Sequence, residues 1–118
     1  MAIVVYNGEV TAGGTDGNQV TQGNPIYIGA NRGTISEPVR IALRATGDHH
    51  YLCHVAPKGT DTGYIQLSAD GASWTESVFF SQIGTINSLI YLRAGAGEEE
   101  DYGVYSTVSL QMEYYQPV

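Results

Sequence analysis

Apolar and polar side chains alternate in several short runs along this chain, and nowhere do apolar residues recur at the 3.6-residue spacing of an amphipathic helix. Residues 37–45 carry the clearest run. Val39, Ile41, Leu43 and Ala45 fall on one side, and Arg40, Ala42 and Arg44 on the other. Period two over this length predicts a strand with one buried and one solvated face, as in antiparallel sheets. Further strands are expected at 2–6, at 50–55 (closed by Pro57), at 89–94 and at 104–115, with an edge strand at 25–28 behind Pro25. In the last strand Val108, Leu110, Met112 and Tyr114 are expected to face inward.

The seed of this arrangement is expected at residues 64–74. Ile65, Leu67 and Ala69 alternate with polar neighbours, Asp70-Gly71 follows, and the chain returns to Trp74, its one tryptophan. Asp-Gly between alternating segments favours a two-residue primed turn, which needs positive φ at both central residues. Such a turn sets Leu67 opposite Trp74 and makes Leu67, Asp70, Gly71 and Trp74 the structural heart of the core. Continuing that ladder would bury Glu76 opposite Ile65, so the chain is expected to bulge or change strand near Thr75, with Val78 and Phe80 then facing inward. The Gly- and Thr-rich stretch 11–24 is expected as a mobile loop, or a loose hairpin closing at Asp16-Gly17.

With 118 residues, the chain is expected to form one domain burying roughly two thirds of the surface it exposes when unfolded. About seven or eight short strands separated by turn signals fit an all-β fold, an antiparallel immunoglobulin-like β-sandwich. A jelly roll or small barrel is the alternative. The net charge of −7 and only five basic residues argue against nucleic acid, whose binding needs Lys and Arg to displace counterions. No stretch approaches the ~20 apolar residues of a membrane-spanning helix, and the N-terminal residues lack the basic region of a signal peptide. Folding in the cytoplasm is the expectation.

Candidate chemistry is sparse. His50 and His54 share a face of their strand and are the candidate zinc ligands, but Cys53 points the other way and no second ligand pair completes a tetrahedron. Cys53, flanked by Leu52 and by no cation, is expected to be a small core residue. Glu98, Glu99, Glu100 and Asp101 are the candidate calcium ligands, although adjacent acids lack the alternating spacing of a calcium loop and suit a solvated tip. No nucleophile elbow, zinc-protease helix or triad pattern occurs, so no enzyme and no cofactor are expected. Tyr51, Tyr64, Tyr91 and Tyr115 occupy polar-parity positions. They are the candidate binding residues for a carbohydrate or a protein surface, although Tyr also covers sheets without binding anything.

Asp101-Tyr102-Gly103-Val104-Tyr105 is similar to the Asp-x-Gly-x-Tyr-x-Cys signature of immunoglobulin domains, but Thr107 stands where the cysteine belongs. A second resemblance covers most of the chain. Leu67-Ser68-Ala69-Asp70-Gly71-Ala72-Ser73-Trp74, then Ile83-Gly84-Thr85-Ile86-Asn87-Ser88-Leu89-Ile90-Tyr91-Leu92-Arg93-Ala94, then a polar loop and a closing strand, resemble bacterial and phage immunoglobulin-like modules. That resemblance implies a non-enzymatic virion or prophage structural protein, for decoration or tail association, assembled in the bacterial cytoplasm. Its implied partners are other virion subunits or further copies of itself, with residues 2–6 or the last strand pairing edge to edge. The alternative function is a carbohydrate-binding or adhesion module that recognises cell-surface glycans.

Overall fold

Period-two alternation does build this molecule. The computed structural model describes residues 3–21, 23–30, 34–46, 51–58, 65–95 and 104–115. Among them are nine strands and no helix: β1 (Ile3–Asn7), β2 (Asn18–Gln19), β3 (Ile26–Ala30), β4 (Val39–Ala45), β5 (Tyr51–Lys58), β6 (Ile65–Ser68), β7 (Val78–Ile83), β8 (Ser88–Ala94) and β9 (Val104–Tyr115). They form a five-stranded sheet in the order β2-β1-β4-β8-β6 and a four-stranded sheet in the order β3-β9-β5-β7. Every pairing is antiparallel.

The inner faces of the two sheets meet in one apolar core. Ile3, Ile41, Leu43, Ile65, Leu67, Ile90, Leu92 and Ala94 come from the five-stranded sheet, and Ile26, Ile28, Cys53, Val55, Val78 and Ile83 from the other. These are the apolar positions of the alternating runs. Leu110, Met112 and Tyr114 pack against this core from β9 as expected, while Gln111 and Glu113 are exposed. Burying one Leu or Ile here contributes about 1.5–3 kcal/mol relative to leaving it in water.

Connectivity departs from the sandwich read from sequence. From β2 onward, every connection crosses from one sheet to the other. An immunoglobulin domain instead keeps several hairpin-linked neighbours in one sheet. The expected exit near Thr75 is such a crossing, from β6 to β7 in the opposite sheet. Neither strand offered for edge-to-edge pairing lies at an edge: β1 sits between β2 and β4, and β9 between β3 and β5. The edges are β2, β6, β3 and β7. In β7 the register against β5 shifts between the pairs Tyr51↔Ile83 and Cys53↔Phe80, leaving an extra residue on the β7 side. Ser81 and Gln82 are both exposed there, and Ile83 returns to the core. A bulge of this kind blunts an edge against pairing with other chains.

Pro57 does not end its strand. β5 runs on to Lys58, with Pro57 opposite Leu110 of β9. The last β5–β7 pair is Val55↔Val78, so beyond it β5 has one neighbour, and a missing N–H is tolerated.

The Asp-Gly turn is the main correction. Leu67 pairs with Thr75, not Trp74, and their backbones exchange two hydrogen bonds of 2.8 Å. Gly71 has φ +80°, but among the described residues no non-glycine residue has positive φ, so Asp70 does not adopt the primed-turn geometry. Side chains hold the wider turn instead. Asp70 Oδ1 accepts from the Ala72 and Ser73 N–H groups at 2.8 and 2.9 Å, and the buried Ser68 Oγ accepts from those of Asp70 and Gly71. The Ser68 hydroxyl donates in turn to Asp70 Oδ1. These local bonds compete with the tight turn and win. A shift of one residue in register turns a side chain to the opposite face of a sheet. Trp74 is therefore half-buried outside the core, whereas Leu67 is fully buried within it.

Candidate functional site

The outer face of the five-stranded sheet gathers the unusual chemistry of this acidic chain. Three of its five basic residues, Arg40, Arg44 and Arg93, occupy alternate positions on β4 and β8 that point away from the core. Each has an aromatic neighbour. The Arg44 guanidinium lies 3.6 Å from the centroid of the Tyr6 ring, and that of Arg93 lies 4.4 Å from the Trp74 ring. Arg40 pairs in register with Tyr91. The two stacked contacts hold Arg44 and Arg93 flat against the sheet, each contributing about 0.5–1 kcal/mol at exposed positions. Arg93 Nε also donates to Gln66 Oε1 at 2.8 Å, across the β6–β8 pair that sets these residues opposite each other.

Arg44 is held more firmly than its companions. Its Nη1 donates to the Asp16 backbone carbonyl at 2.6 Å and to Asn87 Oδ1 at 2.8 Å. Asn87, 5% exposed, donates through Nδ2 to Thr11 O and Asp16 Oδ1 at 2.9 and 2.7 Å. Two backbone bonds, Asn87 N to Gly14 O and Gly13 N to Asn87 O, tie the same loop to the segment before β8. Asp16 also accepts from the Thr11 N–H and hydroxyl, both at 2.9 Å. The Thr11 backbone N–H foremost, then its hydroxyl and the Asn87 amide, hold the Asp16 carboxyl below the usual carboxylate range. Gly17, at φ +104°, must be glycine, since a Cβ there would sit 2.4 Å from Val10 Cγ1. Within the Gly- and Thr-rich stretch, Thr11, Gly13, Gly14 and Asp16 are thus bonded to Asn87, 76 positions from Thr11 in sequence.

On the same sheet, an open depression of about 600 Å³ is lined by Gly8, Pro38, Val39, Arg40, Asp70, Gly71 and Tyr91. Arg40 is exposed, and among the described residues nothing accepts a hydrogen bond from it. Tyr91 is half-buried. Asp70 carries a charge at any ordinary pH: the N–H groups of Ser73 and Ala72, then the Ser68 hydroxyl, bring its carboxyl down to about 2. All three of those bonds fall on Oδ1, leaving Oδ2 clear of the turn.

The four tyrosines named from the sequence do not assemble into one platform. Tyr91 lies on the five-stranded sheet, while Tyr51 and Tyr115 belong to the four-stranded sheet, opposite Ile83 and Leu52. Tyr64 lies outside the described residues, as do His50, Glu98, Glu99, Glu100 and Asp101. His54 is exposed on β5, between Phe79 and Glu113 in register. Cys53 is buried, and desolvation pushes its thiol up to about 11, so it is protonated and poorly nucleophilic at neutral pH.

Sequence reasoning missed Tyr6, Arg40, Arg44, Asn87 and Arg93 as a connected surface. The alternation in residues 37–45 and 89–94 already turned the three arginines outward. What the sequence does not carry is that β4 and β8 are neighbours. Compared with protein-family models, with curated proteins and with solved structures, the chain matches none.

Proposed function

We propose that this chain is a non-catalytic β-sandwich module that acts by contact, as a decoration or tail-associated component of a phage or prophage particle. The observation behind the contact surface is the row of Arg40, Arg44 and Arg93 interleaved with Tyr6, Tyr91 and Trp74 on one sheet face. Arg, Tyr and Trp are the residues enriched at the energetic centres of protein interfaces. A net charge of −7 keeps free copies apart, while a cationic face offers one region where an acidic partner surface is attracted. The particle setting rests on the resemblance of the Asp-Gly segment and the strand ending Tyr91-Leu92-Arg93-Ala94 to phage immunoglobulin-like modules. On this reading the fold is immunoglobulin-like in its two antiparallel sheets around one core, with its own strand order. The protein assembles in the bacterial cytoplasm and its partners are other virion subunits.

Mass spectrometry of particles purified after induction tests this. The chain is expected among their proteins, and Arg40→Ala/Tyr91→Ala/Arg93→Ala is expected to stay folded yet leave the particle. Particles that never contain the chain would end the proposal. A second reading, glycan recognition, is favoured by one feature, the Tyr91 depression lined also by a cation and a carboxylate.

A further inference from the structure

The depression on the outer face has a composition that selects among ligands. The half-buried Tyr91 lines it, with Gly71 close beside the ring: a Cβ at position 71 would lie in ordinary contact, 3.7 Å from its Cδ2 and Cε2 atoms. It is also lined by Arg40, an exposed donor, and by Asp70, whose Oδ2 takes none of the turn's hydrogen bonds. The Asp70 side chain is itself fixed by three bonds through Oδ1, so the acceptor is held in place before a ligand arrives. The opposed charges decide what fits. An anionic ligand drawn to Arg40 meets the Asp70 carboxylate, and a cationic one drawn to Asp70 meets Arg40. A neutral ring with hydroxyls on its edge satisfies both, donating to the carboxylate and accepting from the guanidinium, while its C–H face rests on the electron-rich face of the tyrosine.

We propose that the depression lined by Gly8, Pro38, Arg40, Asp70, Gly71 and Tyr91 is a binding site for one neutral sugar ring of a saccharide. This inference rests on the second reading above and gives it a location. Arg40 and Asp70 hold the hydroxyls and Tyr91 carries the ring. Few polar groups and an open shape make the interaction weak for one ring, so affinity in a particle would come from many copies acting together.

The test is a titration of the ¹⁵N-labelled full chain with the methyl glycosides of glucose, galactose, mannose and N-acetylglucosamine, and with glucuronate. Saturable shifts in the millimolar range are expected for at least one neutral glycoside, clustered at the amides of Gly8, Arg40, Gly71 and Tyr91. Tyr91→Ala and Arg40→Gln should each weaken binding by about tenfold or more while the rest of the spectrum shows a folded chain. Tyr27→Ala, on the other sheet, should leave it unchanged. Glycoside binding that ignores both Tyr91→Ala and Arg40→Gln overturns this site but leaves glycan recognition standing. No saturable response to any sugar overturns both. Glucuronate binding more than about tenfold tighter than the neutral glycosides overturns the assignment to a neutral ring.

Discussion

Replacing Asn87 by alanine tests the claim that the loop at 11–17 is part of the folded structure. The substitution removes three side-chain hydrogen bonds: one to the Thr11 carbonyl, one to the Asp16 carboxylate and one from the Arg44 guanidinium. A neutral bond contributes about 1 kcal/mol net, and each bond to a charged group about 1.5–3 kcal/mol. Thr11 and Asp16 are exposed, so water replaces part of what is lost, and the two backbone bonds at Asn87 survive. The expected cost is about 2–3 kcal/mol. With an unfolding entropy of ~2.1 cal/mol/K per residue, 1 kcal/mol corresponds to about 4 °C in a chain of this length. Thermal unfolding followed by circular dichroism should therefore show Tm lower by about 8–12 °C. Amide exchange should accelerate at Gly13 and Gly14, whose N–H groups are bonded to Asn87 O and Thr11 O. A fall below about 3 °C, with unchanged exchange at those amides, would refute the reasoning, because the loop would then contribute nothing to the fold.

Leu67→Ala is expected to cost about 2–5 kcal/mol in a denaturant titration, while Trp74→Ala costs about 1 kcal/mol, since the tryptophan caps Arg93 outside the core. Equal costs would return Trp74 to the interior. Asp70 is held near 2 in the folded chain, below its unfolded value, so the stability it contributes is complete above about pH 4 and is lost as pH falls toward 2. Melting curves of the parent and of Asp70→Asn should accordingly differ at pH 7 and converge at pH 2; a gap that persists in acid would contradict this. Cys53 should resist an aromatic disulfide reagent at pH 8 and react fully in denaturant, with rapid native labelling the contrary result.

Local sequence determined which segments are strands and which side of each is buried. The run around Ile90 and residues 110–114 show it, because burial there alternates with the pleat and the pleat is a property of neighbouring residues. Around Ile41 the alternation fails, since Ala42, expected on the solvated face, is fully buried. Cys53 as a core residue was legible in the same way. Tertiary structure alone decided strand order, since backbone hydrogen bonding is the same for any partner, and with it the meeting of Arg40 and Tyr91. It also decided the face of Trp74, which turned on one residue of register set by the Asp70 and Ser68 side chains rather than by the Asp-Gly pair. The bond from Asn87 to Thr11 joins positions too far apart for any local pattern to register, so only the folded chain brings them together.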